Sequence, residues 1–375
     1  MQTYRILLSC LLGLFVLMPQ ARAQDEKPAD ASYSVVILGD THYDAPDPDL
    51  YHTGYTDPNP KREALHRREF VRNGKMWQGR SRQLVERASR LVGADTKMVL
   101  QMGDLIQGDT PDSATHVRFL DDAMNLFKSD VAPDLPFVTV PGNHDLRGND
   151  DNVATKAYTS YMPVRMSREL GQEITGNNYL YRIGPDAFVV IKFTKPDVSE
   201  IERLLNEAKG SRHIFLVTHG PVFPYDNSKY YWWFLLGNRK DSHASERRRI
   251  RKLLAENEVI VLCGHTHATE FIDWYGDGGR ITQMTMSSVW SSDEQGSYNV
   301  VASGPEEYCT RLYDTDPSLK TEANQALFDE FRADMKTYIM ASSAGSYKLI
   351  VDGAKVYVDF YAGDSEEVSH RFILR

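Results

Sequence analysis

Short apolar runs recur along the chain, and a polar turn follows each of them. The runs are continuous rather than alternating and are rich in Val and Ile, which is typical of strands buried on both faces of a sheet. Five of them lie at residues 33–39, 97–103, 136–142, 213–220 and 259–264. Amphipathic helical patterns fill the intervals, at residues 81–93, 114–128, 199–209 and 245–256. This alternation predicts an α/β domain with a largely parallel sheet.

Further strands are predicted outside this alternation. Residues 178–193 hold two apolar runs around a Gly-Pro-Asp turn, and residues 269–288 form another strand group. Near the C terminus, two alternating segments flank Asp352 and Gly353, which is a strong hairpin signal. Before this hairpin, apolar positions follow the spacing of an amphipathic helix, at Leu327, Phe328, Phe331, Met335 and Ile339.

The N-terminal residues are not expected to belong to the folded domain. Arg5 precedes an apolar stretch at 6–18, and Ala21 and Ala23 match a small-x-small cleavage site, so residues 1–23 are interpreted as a secretory signal peptide. The apolar stretch is short for a membrane span, although an uncleaved N-terminal anchor is the alternative. Residues 24–32 are polar and are interpreted as a linker. We therefore expect an exported protein, periplasmic or extracellular, with no membrane span after signal removal.

Charge and cysteine content narrow the range of partners. The formal net charge is −9, and signal cleavage would remove two arginines and no acid, which changes it to −11. An acidic surface argues against a nucleic-acid backbone as the main partner, whereas a small anion can still bind at a local cationic site. The two remaining cysteines, Cys263 and Cys309, could form a disulfide in an oxidising compartment or be buried thiols. Neither feature indicates the oligomeric state.

Polar side chains with metal-binding chemistry follow the predicted buried strands. They are Asp40, His42, Asp104, Asn143, His144, His219, His265 and His267. Because ligand crevices lie at the carboxyl ends of parallel strands, we expect these groups to converge on one edge. Carboxylate, imidazole and amide groups suit Zn, Fe, Mn or Ni, and they are too many for one tetrahedral ion. The pattern predicts two metal ions that share a carboxylate.

The same residues lie in short motifs whose order is informative. The motifs are GDTH at 39–42, GD at 103–104, GNHD at 142–145, a single His at 219 and GHTH at 264–267. This order resembles that of the calcineurin-like metallophosphoesterase superfamily, over residues 33–290. The resemblance implies a four-layer αββα sandwich of two mixed β-sheets packed together, with helices outside. Residues 291–375 lie beyond the motifs and are expected to form a helix and β-hairpin extension packed on the same domain.

The resemblance also implies residue roles. The implied metal ligands form two sets with one shared carboxylate: Asp40, His42 and His267 for one ion, Asn143, His219 and His265 for the other, and Asp104 bridging them. His144 would assist the leaving group as general acid or bind phosphate as a cation. Two divalent or trivalent ions (Mn, Zn or Fe) about 3.5–4 Å apart would activate a bridging hydroxide for in-line attack on phosphorus. A small phosphomonoester or phosphodiester is the expected substrate, and a non-catalytic metal-bound binding module is the alternative.

One position departs from the family pattern. Members often carry a second Asp three residues after the first in the GD motif, where it can orient the catalytic His. This chain has Gln107 at that position, so Asp145 or Asp109 is the expected substitute.

Two long segments between the motifs are predicted to be irregular connections, at 43–76 and 221–244. The first contains His52 and His66, which are expected at the surface. The second contains the aromatic run 230–234, which would either pack on the core or line the metal site. Long irregular segments inside a compact domain are more often functional than incidental.

Overall fold

The computed structural model describes residues 32–194, 196–225, 244–289 and 297–375. The predicted signal peptide, all but the last residue of the predicted linker, and the aromatic run 230–234 lie outside these residues. Within the described ranges, no helix is long and apolar enough to cross a membrane. The fold is an α/β sandwich of two mixed β-sheets flanked by helices, as the motifs implied.

The described residues form fourteen β-strands. They lie at Ser32–Leu38 (β1), Thr96–Gln101 (β2), Phe137–Thr139 (β3), Tyr179–Ile183 (β4), Asp186–Val190 (β5), Ile214–Val217 (β6), Ile260–Cys263 (β7), Thr269–Gly276 (β8), Gly279–Thr285 (β9), Val300–Ser303 (β10), Met335–Ala341 (β11), Gly345–Asp352 (β12), Lys355–Ala362 (β13) and His370–Ile373 (β14). The first sheet has the order β14-β13-β12-β1-β2-β3, and the second has the order β10-β11-β8-β9-β7-β6-β5-β4. The strands β1, β2 and β3 are mutually parallel, and so are β5, β6, β7 and β9.

Helices cover the outer faces of the sandwich. Those in the described part of the chain lie at Asp49–His52 (α1), Pro60–Gln78 (α2), Arg80–Ala88 (α3), Ser113–Val131 (α4), Asp151–Leu170 (α5), Val198–Ala208 (α6), Ala244–Glu256 (α7), Arg311–Thr315 (α8) and Glu322–Arg332 (α9). Asn59, Asp112 and Asp197 cap α2, α4 and α6, because their side chains accept hydrogen bonds from first-turn amides. The four predicted helices are confirmed, and the one predicted at 81–93 ends at Ala88 and continues as a single 3₁₀ turn.

Apolar runs become strands that are buried on both faces. On β5, Phe188 and Val190 belong to the core that includes the first sheet, whereas Ala187 and Val189 belong to the core that includes α6. Successive side chains on a strand point to opposite faces, so a strand between two cores needs a continuous apolar run. The continuous apolar runs in the sequence therefore correspond to strands buried on both faces, as predicted.

The C-terminal residues contribute strands to both sheets. β12 pairs antiparallel with β1, and β11 pairs antiparallel with β8. The Tyr347 hydroxyl on β12 lies 2.7 Å from Thr269 Oγ1 and accepts a hydrogen bond from the Ser287 amide, also at 2.7 Å. These contacts join the two sheets. The hairpin predicted around Asp352 and Gly353 is confirmed as β12 and β13.

Two secondary-structure predictions are wrong. The C-terminal amphipathic helix ends at Arg332, and Met335 and Ile339 lie on β11. A spacing of four residues fits a helix, but as a multiple of two it also fits a strand, and pairing with β8 selects the strand. Residues 43–76 are not irregular, because α1 and α2 together fill most of this segment. The buried face of α2 includes His66 and Asn73, so it lacks the continuous apolar stripe by which a helix is recognised in a sequence.

Cys263 and Cys309 are separate buried thiols. Cys263, at the end of β7, lies 3.4 Å from Thr285 Oγ1, and Cys309 Sγ lies 3.8 Å from the Pro224 carbonyl oxygen. The disulfide considered from the sequence is therefore not formed between them.

Candidate metal centre

The candidate ligands lie in loops that follow five strands. The loops after β1, β2 and β3 hold Asp40, His42, Asp104, Asn143 and His144, and those after β6 and β7 hold His219, His265 and His267. Parallel strands bring the first three loops together, and the Thr41 amide donates to the Asp104 carbonyl at 3.1 Å. The His265 amide donates to Asp40 Oδ1 at 2.9 Å, which joins a loop of the second sheet to a loop of the first. The carboxyl ends of strands from the two sheets thus meet at the candidate site.

Two glycines allow the loops to approach this closely. Gly103 has a φ of 87°, and a Cβ atom there would lie 2.7 Å from His219 Nδ1. A Cβ atom at Gly142 would overlap the backbone of Asp104. Any larger residue at either position would push two ligand loops apart.

The first group of ligands is formed by Asp40, His42 and His267. His267 Nε2 lies 3.1 Å from Asp40 Oδ2 and 3.1 Å from His42 Nε2. Potential ligand atoms of the three residues all lie within 4.8 Å of one another. Asp40 and His42 are buried, whereas the His267 side chain is 34% exposed, so this group opens toward solvent.

The second group is formed by Asp104, His219 and His265. His219 Nε2 lies 3.3 Å from Asp104 Oδ2 and 3.1 Å from His265 Nδ1. His219 Nδ1 donates to the Met102 carbonyl oxygen at 2.7 Å, which fixes the tautomer and leaves Nε2 for the site. A hydrogen bond of this kind is the usual support of a metal-ligating histidine.

Asp104 lies between the two groups. Its Oδ2 atom is 3.3 Å from His219 Nε2 on one side and 3.7 Å from His42 Nε2 on the other. Its Oδ1 atom accepts a hydrogen bond from the His144 amide at 2.7 Å. His265 lies in the second group and His267 in the first, although only one residue separates them in the sequence.

Asn143 immediately precedes the 3₁₀ turn at His144–Leu146, next to this carboxylate. Its Oδ1 atom is buried and has no hydrogen-bond partner among the described residues. A buried oxygen of this kind requires an explanation, and coordination of a cation would satisfy it. The donor set as a whole, carboxylate and amide oxygens with imidazole nitrogens, fits transition-metal ions.

The charges of the site are consistent with metal binding. Burial lowers the pKa of His42 and of His265 well below the usual value, so both are neutral and able to coordinate. Burial opposes ionisation of Asp104, but the neighbouring imidazoles of His219 and His144 hold its pKa well below the usual value. Burial likewise disfavours a charged His219, yet Asp104 and Asp40 raise its pKa to about 9. That proton would have to leave when a metal ion binds.

His144 is oriented by a backbone group. Its Nδ1 donates to the Gln107 carbonyl oxygen at 2.9 Å, and its ring lies edge-on to His42, with centroids 4.5 Å apart. The expectation that Asp145 or Asp109 orients His144 is wrong. Asp145 instead accepts hydrogen bonds from the amides of Ile106 and Gly142, and Asp109 pairs with Arg147. The backbone carbonyl of Gln107 thus orients His144 in place of the Asp side chain that family members often carry at this position.

Backbone strain is concentrated at the site. Four candidate ligands have positive φ angles: His42 at 41°, Asp104 at 50°, His265 at 73° and His267 at 55°. Residues other than glycine adopt this region at a cost of about 1–3 kcal/mol each, and such strain clusters at functional sites. The surrounding structure must therefore hold these loops in place.

A buried polar layer lies beside the ligands, and its residues carry no motif in the sequence. His52 and His66 are buried, so the expectation that they lie at the surface is wrong. His66 Nδ1 lies 3.3 Å from Asp109 Oδ1, and together with Glu69 these residues form a further cluster of potential ligand atoms within 4.8 Å. Arg147 already pairs with Asp109 at 2.5 Å and approaches Glu69 at 3.6 Å, so a cationic group occupies this cluster.

Two packed mixed sheets with His and Asp groups in the loops at their strand ends define a metallophosphoesterase-type fold. A family model for the calcineurin-like phosphoesterases matches residues 33–269, which is more than half of the chain. The chain therefore belongs to the calcineurin-like phosphoesterase family. Family membership and the His/Asp groups together support a metal-dependent phosphoesterase.

Solved structures share the fold at low sequence identity. The structure of PhoD matches with a TM-score of 0.53 and 11% identity, over 92% of this chain and 68% of that chain. At this identity the likeness concerns the fold. The structure of GAP50, described as the anchor in the inner membrane complex of Plasmodium, aligns with a TM-score of 0.45 and 15% identity, over 92% of this chain and 89% of that chain. Among curated proteins, no match was found.

Proposed function

We propose that the protein is an exported hydrolase that cleaves small phosphoesters with two metal ions. The observation that supports this most strongly is the position of Asp104, whose Oδ2 atom lies within 3.3 Å of His219 and 3.7 Å of His42. One carboxylate between two imidazole-containing groups is what a shared ligand of two ions requires. Each group would hold one divalent or trivalent ion, Mn, Zn or Fe, with Asn143 completing the second group.

The side chains of the site would orient the substrate and move a proton. The ions, when bound, would activate water and neutralise charge on the phosphoryl oxygens. His144 donates Nδ1–H to the Gln107 carbonyl, so Nε2 is the nitrogen that can protonate the leaving oxygen. Because the His144 amide is bonded to Asp104 Oδ1, the acid and the shared carboxylate keep a constant relative position.

The substrate class follows from charge and location. The predicted mature chain has a net charge of −11, which disfavours a polyanionic nucleic-acid backbone. A small monoester or diester is compatible with this surface, because two bound metal ions would supply the local positive charge that attracts it. Export is proposed from the signal-peptide pattern at residues 1–23. Expression of the full chain in a bacterium should yield an extracytoplasmic protein whose measured mass corresponds to an N terminus at Gln24. A cytoplasmic full-length product would refute export.

The function is tested with the mature protein, one aryl phosphate and one bis-aryl phosphate. Activity should require added Mn, Zn or Fe, and metal analysis should give two ions per chain. The Asp104→Ala variant should lose metal occupancy or turnover. Unchanged metal-dependent turnover in that variant would overturn the assignment. Two bound ions without turnover of either ester would instead favour the non-catalytic binding module.

A further inference from the structure

The orientation of His144 depends on a peptide group that needs external support. The Gln107 carbonyl that accepts the His144 hydrogen bond belongs to the peptide that precedes Gly108. Gly108 has a φ of 76°, and a Cβ atom there would overlap the His144 carbonyl, so only glycine fits. Glycine restricts its backbone less than any other residue, so this peptide can rotate unless something holds it.

Helix α2 holds the side chain of Gln107. Asn73 Nδ2 donates to Gln107 Oε1 at 2.5 Å, and both residues are almost completely buried, at 1% and 2% exposure. Glu69 Oε2 lies 3.5 Å from Gln107 Nε2, one turn earlier on the same helix. On its own backbone, Gln107 donates its amide to the Tyr43 carbonyl at 3.0 Å. The residue is therefore held at its amide and at its side chain, which fixes the Cα atom from which the carbonyl group projects.

The face of α2 that turns toward the ligand loops has a regular spacing. His66, Phe70, Asn73 and Trp77 recur at intervals of three or four residues, and all four are buried. Trp77 Nε1 donates to the His42 carbonyl oxygen at 2.8 Å. Phe70 stacks on His52 at a centroid distance of 3.7 Å, and His52 bonds to the Asp109 carbonyl through Nδ1 at 3.1 Å. One rigid helix thus contacts the loops after both β1 and β2.

We propose that α2 is a positioning element for the proton donor, and that Asn73 is its main positioning residue. Asn73 fixes Gln107, the Gln107 carbonyl fixes the His144 imidazole, and the imidazole then presents Nε2 to the leaving oxygen. The inference rests on the proposed function of His144 and deepens it. It assigns a role to the segment at 43–78 and explains how the chain compensates for the Asp that its GD motif lacks.

This role has a distinctive kinetic consequence. A general acid matters most when the leaving group is a poor one, because a good leaving group departs without protonation. Loss of Asn73 should therefore slow an alkyl phosphate more than an aryl phosphate, whereas a general loosening of the metal site would slow both alike. A misplaced catalytic group costs up to about a hundredfold, so we expect about a tenfold fall in kcat for the alkyl ester. For a nitrophenyl ester we expect a fall of about twofold, with KM and metal content unchanged.

The experiment compares Asn73→Ala with Arg68→Ala on the metal-loaded mature protein. Arg68 lies on the same helix but is exposed, so it controls for changes in helix stability. Gln107→Ala removes the same hydrogen bond from the other partner, and it serves if Asn73→Ala folds poorly. The double variant should be no slower than the slower single variant, because both changes act through one carbonyl.

The decisive measurement repeats the comparison in a protein that carries His144→Asn. In that background, Asn73→Ala should have no further effect on the dependence on the leaving group. If Asn73→Ala slows both esters equally, or still acts when His144 is absent, Asn73 is only structural and the inference is wrong. If the parent protein turns over neither ester, the proposed function itself has failed, which is a separate result.

Discussion

The ligand loops and the helix α2 meet at the same site, yet they differ in how they are built. The loops after β1, β2, β3, β6 and β7 hold short motifs that contain all the candidate ligands. α2 contains no motif, and it reaches the site through hydrogen bonds to backbone and amide groups, such as Trp77 to the His42 carbonyl and Asn73 to Gln107. The candidate ligands and the candidate proton donor lie in the loops, whereas residues of α2 outside the loops help to hold them in position.

The comparison explains why strain can persist in the loops. Four candidate ligands have positive φ angles, and their loops are held by many buried contacts rather than by local preference. His116 on α4 is one such support, because Nε2 donates to the Asp145 carbonyl at 2.9 Å and Nδ1 lies 2.9 Å from Thr110 Oγ1. We therefore expect changes in the loops to abolish chemistry, and changes in the supports to alter rates, affinity or stability by smaller amounts.

The largest effect is expected at Asp104. Loss of an outer partner of a metal ligand typically costs about 10–100-fold, so removing a ligand shared by two ions should cost more, on the order of 10⁴-fold. The Asp104→Ala variant should show this loss in kcat/KM together with reduced metal content. If the variant keeps the metal content of the wild type and loses little activity, Asp104 is not the shared ligand. The distinction between ligand loops and supporting residues would then lose its main example.

The next largest effect is expected at His144. General acid catalysis contributes roughly 10²–10⁴-fold, so His144→Asn should lower kcat for an alkyl phosphate by about a thousandfold. The fall should be much smaller for a nitrophenyl phosphate, and both ions should remain bound, since His144 is not a predicted ligand. Equal losses on both esters would argue that His144 binds phosphate as a cation instead of donating a proton.

A support residue is predicted to make stability depend on pH. Burial lowers the pKa of His116 to about 4, from a usual value of 6.5. Above pH 6.5 both folded and unfolded chains have a neutral imidazole, whereas below it only the unfolded chain gains a proton. Stability is therefore lost as the pH falls from about 6.5 to about 4, by up to about 3 kcal/mol, and it levels off below that range.

The measurement is urea unfolding of the wild type and of His116→Gln at pH 7.5 and at pH 4.5. The variant should be less stable at pH 7.5, because a buried hydrogen bond is lost. Its stability should fall less between the two pH values than that of the wild type. The same fall in both proteins would show that other groups cause the pH dependence.

The smallest effect is expected at Trp77. The Trp77→Phe variant keeps an aromatic ring but loses the hydrogen bond to the His42 carbonyl, so metal affinity should fall by about tenfold. Trp274→Phe is a matched control, because its Nε1 donates to the Phe331 carbonyl at 2.9 Å, away from the ligand loops. Competition with a chelator should distinguish the two variants. An equal loss of affinity in both would indicate that stability, and not support of His42, is responsible.

The parts of the fold that could be predicted are those in which local pattern and tertiary environment agree. The continuous apolar runs became β1, β2, β3, β6 and β7 because each is buried on both faces. On β6 and β7, as on β5, successive residues face two separate cores. The segment at 335–341 was misassigned because the spacing of its apolar residues fits two structures and only pairing with β8 decides between them. α2 was missed because its buried face includes His66 and Asn73, which look like surface residues in a sequence.

The sequence by itself determined the kinds of groups at the site and the loops that hold them. Asp, His and Asn in ordered motifs after buried strands are sufficient for that, because strand ends in a parallel sheet converge whatever the rest of the chain does. Only the tertiary structure decided how the groups are held: the Gln107 carbonyl, and not Asp145 or Asp109, accepts the hydrogen bond of the His144 imidazole, and Asn73 bonds to the Gln107 side chain. A backbone carbonyl is present at every residue and leaves no trace in the sequence. Its direction depends on contacts that form only when α2 packs against the loops.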